Sequence, residues 1–415
     1  MKNLTTFVQQ HLSDDVSRLI LDKDKWPEID MTLAISCIES RRKLKGKVQE
    51  WYDNPELIFP AKLSAEQCSS SMTAAHKADL IAKVFRREEN RSDISIADIT
   101  GGLGVDSWFF SRNAARVLYN EMQPSLAEAA KHNFRILGAD NITVSNVCIS
   151  DGHEAEIKGF KPDIIYIDPA RRGEGGRKVF LIEDCTPDIL SLKEALFEIS
   201  RYMLVKLSPM ADIAMACQRL GSTCREVNVI SAGGECKELL ILMDRKWNGE
   251  YTINATELHS DGTISEFTFS PSEEKSVKGI CLKKDTVLPQ LEGMFLFEPG
   301  KSLMKSGAFN LIADRFDICK IGVSTHYYIT SSSEKAEELK SFGKVYRITG
   351  CTALDKKSMK AASLAHPHAE VTARNIPMNS DTLRKKLGVS SGGHAHIFGL
   401  KSDSLGNLLI ISERI

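Results

Sequence analysis

The stretch ISIADITGGLGVD, residues 94–106, decides the fold of this 415-residue chain. Its apolar and β-branched beginning predicts a strand that ends at Asp98. The glycines that follow, Gly101, Gly102 and Gly104, predict a tight turn into a helix. A nucleotide-like ligand can approach the backbone where side chains are missing, and the helix N-terminus offers N–H groups to its polar atoms. Similar turns also serve packing alone, so the interpretation depends on the residues that follow.

Further strands are predicted on the C-terminal side of this one. After Asp93, short β-branched runs alternate with helical stretches, which is typical of a parallel sheet with helices on both faces. The predicted strands cover residues 95–98, 117–120, 142–147, 163–167 and 203–207. A hairpin follows, with strands at 226–231 and 237–244 and a turn at Gly233-Gly234. The sequence therefore predicts an α/β, doubly wound sheet with an antiparallel strand at its end.

Acidic side chains follow the first three predicted strands. Asp98 ends the first strand, Glu121 ends the second, and Asp151 follows the third. Because the carboxyl ends of parallel strands meet at one edge of a sheet, we expect these carboxylates to face a common ligand crevice. A carboxylate at Glu121 can accept hydrogen bonds from both hydroxyls of a ribose, and Asp151 would meet the amino group of an adenine. NAD and S-adenosylmethionine both fit this pattern.

The residues around the turn favour S-adenosylmethionine. Ser107 stands where dinucleotide-binding turns have a third glycine, and the fourth strand ends in Asp168-Pro169-Ala170-Arg171. With these motifs in order, residues 93–245 resemble the class I S-adenosylmethionine-dependent methyltransferases, which have a Rossmann-like sheet. The resemblance implies no metal and two sets of site residues. These are the cofactor-binding residues Asp98, Gly101, Gly102, Gly104, Glu121, Met122 and Asp151, and the catalytic residues Asp168, Pro169 and Arg171.

The fourth motif departs from that of relatives that methylate amines, which have Asp/Asn-Pro-Pro followed by an aromatic ring that stacks on the acceptor base. Ala170 and Arg171 take these places here, which argues against simple methylation of an adenine or cytosine amine. Arg171 and Arg172 can clamp a phosphate or stack on a base. Alternatively, they form ion pairs with acids such as Glu174 or Glu183.

The end of the fifth predicted strand gives a further constraint on the chemistry. Residues 205–209, VKLSP, contain no cysteine, which argues against carbon methylation of uracil through a cysteine nucleophile. Lys206 in this stretch either contacts the site or a phosphate, or is a solvated strand end. The ten cysteines are scattered without C-x-x-C spacing, and the pairs His366/His368 and His394/His396 lack partners for a metal site.

The parts of the chain outside residues 93–245 resemble a narrower group. Residues 295–301, 371–377 and 383–387 are similar to bacterial methyltransferases that carry a ferredoxin-like domain and a C-terminal THUMP-like domain. The predicted domains are a helical part at 1–92, the methyltransferase domain at 93–245, and two small α+β domains, ferredoxin-like at 246–335 and THUMP-like at 340–415. THUMP domains occur in RNA-modifying enzymes, so the resemblance implies that residues 340–415 bind structured RNA.

Composition and charge limit the remaining possibilities. The length predicts two to three domains, and 42% hydrophobic with 26% charged residues excludes a disordered chain. The sequence has neither a signal-peptide core nor an apolar run of about 18 residues, so we expect a cytoplasmic protein that is not in a membrane. The formal net charge is −1, but residues 340–415 carry twelve Lys and Arg against five Asp and Glu, a net charge of +7. Phosphate contacts dominate RNA affinity, so this charge agrees with an RNA partner.

The sequence therefore predicts an S-adenosylmethionine-dependent methyltransferase that acts on tRNA or rRNA held by residues 340–415. Two alternatives stay open. One is a methyltransferase that acts on a small molecule or a protein. The other is a catalytically inactive module that only binds the cofactor. The acceptor atom and the oligomeric state are not determined by the sequence.

Overall fold

The computed structural model describes residues 2–149, 155–171, 182–283 and 285–415. The chain divides into two compact units. The first comprises Met1–Arg225 and Leu239–Gly249, and the second comprises Glu226–Glu238 and Glu250–Ile415. Within the described ranges, no helix is both long enough and apolar enough to cross a membrane.

The first unit begins with six helices, as the apolar periodicity of residues 1–92 predicts. They are α1 (Lys2–Gln10), α2 (Val16–Leu21), α3 (Met31–Leu44), α4 (Gln49–Asp53), α5 (Lys62–Gln67) and α6 (Ser71–Glu89). Phe7, Leu19 and Ile38 belong to one buried apolar cluster that joins α1, α2 and α3. At the start of α6, Ser70 and Thr73 form a capping box, in which each side chain accepts a backbone N–H from the other residue.

A sheet with helices between its strands follows in the first unit. In chain order the elements of this region are β1 (Ser95–Asp98), α7 (Val105–Asn113), β2 (Arg116–Asn120), α8 (Pro124–Ile136), β3 (Ile142–Ser145), α9 (Ala155–Phe160), β4 (Ile164–Ile167), β5 (Ala170–Arg171), β6 (Cys185–Thr186), α10 (Ile189–Ile199), β7 (Tyr202–Leu207), α11 (Ile213–Leu220), β8 (Cys224–Ala232) and β9 (Glu235–Asp244). Strands β5 and β6 form a separate two-stranded sheet, and β8 after Arg225 and β9 before Leu239 belong to the second unit. The five predicted parallel strands are confirmed to within two residues at either end.

Strand β1 has a parallel neighbour on each side. It pairs with β2 and with β4, while β3 lies beyond β2 and β7 lies beyond β4. The predicted antiparallel strand at the end of the sheet is confirmed, because residues 239–244 of β9 pair antiparallel with β7. The strand order therefore reverses beside β1, and open α/β sheets bind ligands at the carboxyl ends of the strands at such a point. Ile164–Ile167 are all buried, as a parallel strand covered on both faces requires.

The second unit contains two groups of strands. In the first group, β10 (Thr252–Leu258) pairs in parallel with β8 and antiparallel with β11 (Ile264–Phe269). The elements after these are α12 (Pro271–Ser276), β12 (Phe295–Pro299), α13 (Lys301–Ser306), α14 (Phe309–Arg315), β13 (Cys319–Lys320), β14 (Tyr328–Thr330), α15 (Ser333–Leu339), β15 (Gly343–Ala353), α16 (Lys356–Ala365), β16 (His368–Arg374), α17 (Ser380–Leu387), β17 (Ser390–Ser402) and β18 (Gly406–Arg414).

Strands β12 to β18 form one seven-stranded sheet, in the order β13-β14-β12-β15-β18-β17-β16. The pairing of β12 with β15 joins the segment predicted as ferredoxin-like to the segment predicted as THUMP-like. Helices α16 and α17 share an apolar cluster with the strands of the latter segment, to which Ala362, Leu383 and Leu387 contribute. The C-terminal segments therefore have a continuous sheet rather than two separate ones.

A buried ion pair joins α6 to α7 in the first unit. The side chain of Lys77 is fully buried, and its ammonium lies 3.2 Å from Oδ1 of Asp106. Ser69 accepts a hydrogen bond from Lys77 and donates one to Oδ2 of Asp106, at 2.8 and 3.0 Å, and the Tyr166 hydroxyl donates to the same oxygen at 2.9 Å. Burial by itself would raise the pKa of Asp106, but the ammonium groups of Lys77 and Lys206 and these hydrogen bonds outweigh it and lower the pKa. The carboxylate therefore stays charged inside the protein.

Removal of this lysine charge should destabilise the fold strongly. We expect Lys77→Met to lower the free energy of unfolding by about 3–5 kcal/mol, because it leaves the buried Asp106 carboxylate without its nearest counter-charge. Urea unfolding followed by circular dichroism measures the loss. The matched control is Lys62→Met, which breaks the exposed ion pair with Glu39 and should cost far less. Equal losses in the two variants would contradict a stabilising role for the buried pair.

Candidate functional site

The glycine turn lies between the carboxyl end of β1 and the first residues of α7. Gly102 and Gly104 have φ angles of +54° and +96°, which side chains other than hydrogen rarely allow. A Cβ atom at Gly101 would collide with the ring of Tyr119 on β2. The Tyr119 hydroxyl also donates a 2.7 Å hydrogen bond to the carbonyl of Gly102. The turn is therefore held closely against the neighbouring strand and has a defined shape.

Asp98 holds the start of this turn from inside the protein. Only 1% of the residue is exposed, and its carboxyl group accepts hydrogen bonds from the Thr100 N–H at 3.1 Å and from the Ser107 hydroxyl at 2.6 Å. Burial raises the pKa of Asp98 to about 8, and the nearby charges of Asp106 and Asp168 add to the rise. Asp98 is therefore mostly neutral at pH 7, and it contacts the turn rather than open solvent.

Glu121 connects the end of β2 to the glycine turn. Its side chain accepts the Gly102 N–H at Oε2, at 2.9 Å, and the Gln123 N–H at Oε1, at 2.8 Å. A carboxylate has about four acceptor positions, so each oxygen keeps one for a further donor such as a ribose hydroxyl. Met122 beside it is 56% exposed and offers an apolar surface next to this carboxylate.

Asp168 follows β4, the other neighbour of β1. Its backbone N–H donates a 2.6 Å hydrogen bond to the Thr100 hydroxyl, which fixes the start of the fourth motif against the glycine turn. Its Oδ2 atom lies 2.6 Å from the ammonium of Lys206 on β7. The Asp168 side chain is 36% exposed and the Lys206 side chain 13%, so the carboxylate is the more accessible partner.

The sequence interpretation left the role of Lys206 open, and the structure shows its partner. The register that pairs Ile167 with Val205 brings residues 168 and 206 side by side at the ends of β4 and β7. The order of these strands in the sheet decides this contact. A lysine as the fourth residue of a predicted strand gives no such signal by itself.

The remaining residues of the fourth motif are only partly described. Pro169 is buried, and Ala170 and Arg171 form the short strand β5, which pairs with Thr186 and Cys185. The side chain of Arg171 lies outside the described part of the structure, as do Asp151, Arg172 and Glu174. Glu183, the other acid considered as an ion-pair partner for these arginines, lies 2.8 Å from Arg219.

The structure thus brings together three of the predicted acids, Asp98, Glu121 and Asp168, around the glycine turn. The two histidine pairs that the sequence analysis considered for a metal site and disfavoured lie in the second unit. His396 makes a 2.8 Å hydrogen bond with the Thr372 hydroxyl and stacks on Phe398, with the ring centroids 4.0 Å apart. Among the described residues, no group of three or more His, Cys, Asp or Glu side chains is arranged to hold a metal ion.

Comparison with known proteins shows which structures and domains this chain is similar to. A ferredoxin-like domain model matches residues 295–336, and a model described as THUMP domain-like matches residues 343–414. A crystal structure described as a "putative methyltransferase" from Porphyromonas gingivalis W83 is similar over 99% of this chain and 97% of its own, with 27% identity and a TM-score of 0.84. The predicted resemblance is confirmed. The chain shares the fold of this structure and contains ferredoxin-like and THUMP domain-like segments.

Other similarities are lower. An S-adenosylmethionine-dependent methyltransferase from Agrobacterium tumefaciens is 16% identical, with a TM-score of 0.32 over 43% of this chain and 64% of its own. A precorrin-6y C5,15-methyltransferase from Geobacter metallireducens GS-15 is also 16% identical, with a TM-score of 0.28 over 41% of this chain and 88% of its own. These scores are too low to bear on the function of this methyltransferase-like chain. No curated protein matches its sequence.

The raised pKa of Asp98 predicts a pH-dependent stability. Its folded pKa of about 8 lies above the ordinary value of about 4, so unfolding releases a proton between these pH values. The contribution of Asp98 to stability should therefore fall as the pH rises through this window, by up to about 1.4 kcal/mol per pH unit. Urea unfolding of the wild type and of Asp98→Asn between pH 5 and 7.5 measures the effect.

As the pH rises, we expect the unfolding free energy of the wild type to fall relative to that of Asp98→Asn. Asp140→Asn is the control, because Asp140 is exposed and its replacement should leave the pH profile unchanged. Parallel pH profiles for the wild type and Asp98→Asn would show that Asp98 is ionised in the folded protein at neutral pH.

Proposed function

We propose that the protein is an S-adenosylmethionine-dependent methyltransferase that modifies structured RNA in the cytoplasm. The observation that carries this proposal is the joint placement of the glycine turn, Glu121 and Asp168 at the carboxyl ends of β1, β2 and β4. The ten cysteines of the chain are free thiols, which agrees with a reducing compartment.

The residues of the site fit this cofactor. The closely packed turn at Gly101, Gly102 and Gly104 leaves the backbone accessible without side chains, and Glu121 retains acceptor positions for the two ribose hydroxyls. The exposed Met122 side chain is suited to contact the adenine ring, and Asp151 is proposed to accept from the adenine amino group. Asp98 would act indirectly, by holding the turn. When bound, the cofactor supplies a methyl group on a positively charged sulfur.

The residues of the fourth motif are proposed to place the acceptor. Asp168 is partly exposed and tied to the glycine turn through Thr100, so an acceptor that binds to its carboxylate lies near the cofactor position. Correct placement of two reactants contributes much of the rate of a displacement reaction. Pro169 restricts the backbone after this carboxylate, and Arg171 is proposed to contact a phosphate of the substrate.

The RNA part of the proposal is supported by a cluster of positive charge. Helices α16 and α17, which pack next to each other, carry six basic residues that we call the basic helix pair: Lys356, Lys357, Lys360, Arg384, Lys385 and Lys386. The five lysines are exposed, and Arg384 pairs with Asp381 at 2.6 Å. The pair lies within the segment that matches the THUMP domain-like model. Exposed lysines on two adjacent helices are suited to the phosphates of folded RNA.

The enzymatic proposal is tested by methyl transfer. The protein is incubated with methyl-labelled S-adenosylmethionine and with RNA, DNA and protein fractions from a strain that lacks the gene. We expect RNase-sensitive label, reduced about 100-fold or more by Asp168→Ala, because the acceptor loses its orienting group. The affinity for the cofactor, measured by calorimetry, should stay unchanged in this variant, and the exposed Asp140→Ala should behave as the wild type.

The other outcomes separate the alternative functions. Label in protein, or in small molecules of a cell extract, would show that this material, and not RNA, is the substrate. Cofactor binding without label in any fraction would favour an inactive binding module. Loss of cofactor affinity is expected for Glu121→Gln, because the neutral amide accepts hydrogen bonds from hydroxyl groups less strongly. Unchanged affinity in this variant would contradict the placement of the ribose.

The RNA-binding surface is tested separately by charge reversal. Lys356, Lys357 and Lys360 are changed together to Glu, and an exposed lysine set of the first unit, Lys23, Lys25 and Lys131, is changed in the same way as control. Filter binding of bulk tRNA and rRNA at several salt concentrations measures affinity. We expect the first variant to bind RNA more weakly. The slope of log K against log salt concentration should also become shallower, by about 0.7–0.9 for each phosphate contact that is lost. Equal effects of the two variants would contradict a specific role for the basic helix pair.

A further inference from the structure

We propose that the acceptor is an oxygen atom, the ribose 2′-hydroxyl of RNA, and that Lys206 acts on it together with Asp168. This inference rests on the proposed function and adds the acceptor atom and a second catalytic residue to it. It follows from the 2.6 Å contact between the Lys206 ammonium and the Asp168 carboxylate, from the charges around this contact, and from the side chain at position 170.

The Lys206–Asp168 contact places a hydrogen-bond donor and a hydrogen-bond acceptor next to each other, so that one substrate group can bind to both. Asp168 uses one of about four carboxylate acceptor positions for Lys206, and an ammonium group has three N–H donors. The Asp168 side chain is the more exposed of the two, and the Lys206 side chain is mostly buried near the end of β7. A hydroxyl group suits such a pair, because it donates its proton to a carboxylate and accepts a hydrogen bond from an ammonium through the oxygen.

Acidic side chains surround the ammonium group of Lys206 and stabilise its positive charge. Besides its contact with Asp168, it interacts with the buried carboxylate of Asp106 and lowers the pKa of that group. Asp106 in turn has Lys77 within 3.2 Å. Asp98, the third acid nearby, is mostly neutral at pH 7. The site therefore holds two lysine cations opposite two carboxylates, and the cation nearest to the acceptor position is Lys206.

A cation at this place distinguishes an oxygen acceptor from an amine. When an amine attacks a methylsulfonium, positive charge moves onto the nitrogen, and a nearby ammonium group opposes this movement. When a hydroxyl attacks and loses its proton, the oxygen gains negative charge, which a nearby ammonium stabilises. The Lys206–Asp168 pair thus favours hydroxyl over amine acceptors.

The neighbouring residue agrees with an acceptor outside the base. Ala170 offers no ring on which an acceptor base could stack, and its backbone belongs to β5, which pairs with β6. Internal nucleotides of RNA carry a single hydroxyl, at the 2′ position, and DNA lacks it. The acceptor chemistry and the proposed RNA substrate therefore select the same group.

The proposed step is balanced in atoms and electrons. The ribose oxygen forms a bond to the methyl carbon while the bond between this carbon and sulfur breaks, and the electron pair of that bond goes to sulfur, which becomes a neutral thioether. The hydroxyl proton passes to the Asp168 carboxylate and from there to solvent. The proton leaves as the bond to the methyl carbon forms, because the hydroxyl becomes more acidic during the attack, so a carboxylate is a sufficient base and the oxygen never carries a full positive charge. Lys206 keeps its proton and donates a hydrogen bond to the oxygen throughout.

The test identifies the modified atom. RNA from the strain that lacks the gene is methylated with labelled S-adenosylmethionine, digested to nucleosides and analysed by mass spectrometry. We expect 2′-O-methylnucleosides, and a labelled linkage that resists alkali, because alkaline cleavage of RNA needs a free 2′-hydroxyl. Lys206→Met should lower the rate about 100-fold or more, as the removal of a charge-stabilising donor does elsewhere, and Lys206→Arg should retain more activity. An oligonucleotide with a 2′-deoxyribose at the mapped position should not be labelled.

The controls separate this inference from the proposed function. The circular dichroism spectrum and the cofactor affinity measured by calorimetry must be the same in Lys206→Met as in the wild type. If either differs, Lys206→Gln is used in its place. Label in a base, or an unchanged rate in the Lys206 variants, would overturn the inference and leave the RNA methyltransferase proposal standing. Absence of label in RNA would overturn both.

Discussion

The buried ion pair between Lys77 and Asp106 is the contact on which the rest of the site depends. A charged side chain can be taken fully out of water only where a counter-charge and hydrogen bonds replace the lost solvent. Ser69 and Tyr166 supply those hydrogen bonds, from the segment before α6 and from β4. The pair thereby joins the N-terminal helices to the sheet, and Lys206 is near enough to affect the pKa of the same carboxylate. The helical N-terminal part is therefore a component of the candidate site as well as a covering layer.

The acids around the glycine turn differ because their surroundings differ. Asp98 is buried, which raises its pKa to about 8, and its carboxyl group stabilises the turn. Glu121 receives two backbone N–H groups and keeps acceptor positions for a ligand. Asp168 has an ammonium partner and partial access to solvent. Under the proposed function, one structural, one ligand-binding and one acceptor-binding carboxylate thus lie close together without being interchangeable.

The second unit carries the cluster of exposed positive charge. Its seven-stranded sheet runs without a break from the ferredoxin-like segment into the THUMP-like segment through β12 and β15, so the two segments support each other's core. The apolar side of α16 and α17 contributes Ala362 and Leu383 to that core. The opposite sides are then left for lysines, because long charged side chains are hard to bury. The same amphipathic pattern that folds these helices therefore also forms the positive surface.

The sequence by itself determined the local elements: the strands on either side of the glycine turn, and the acids at positions 98, 121 and 168, because period and spacing along the chain are enough to place them. It also indicated the C-terminal domains through their motifs. Only the tertiary structure decided the partners of these acids. Lys206 and Asp168 are 38 residues apart, and Lys77 and Asp106 are 29 apart, and both pairs depend on which strands and helices become neighbours. The raised pKa of Asp98 likewise results from burial, which is a property of the whole fold.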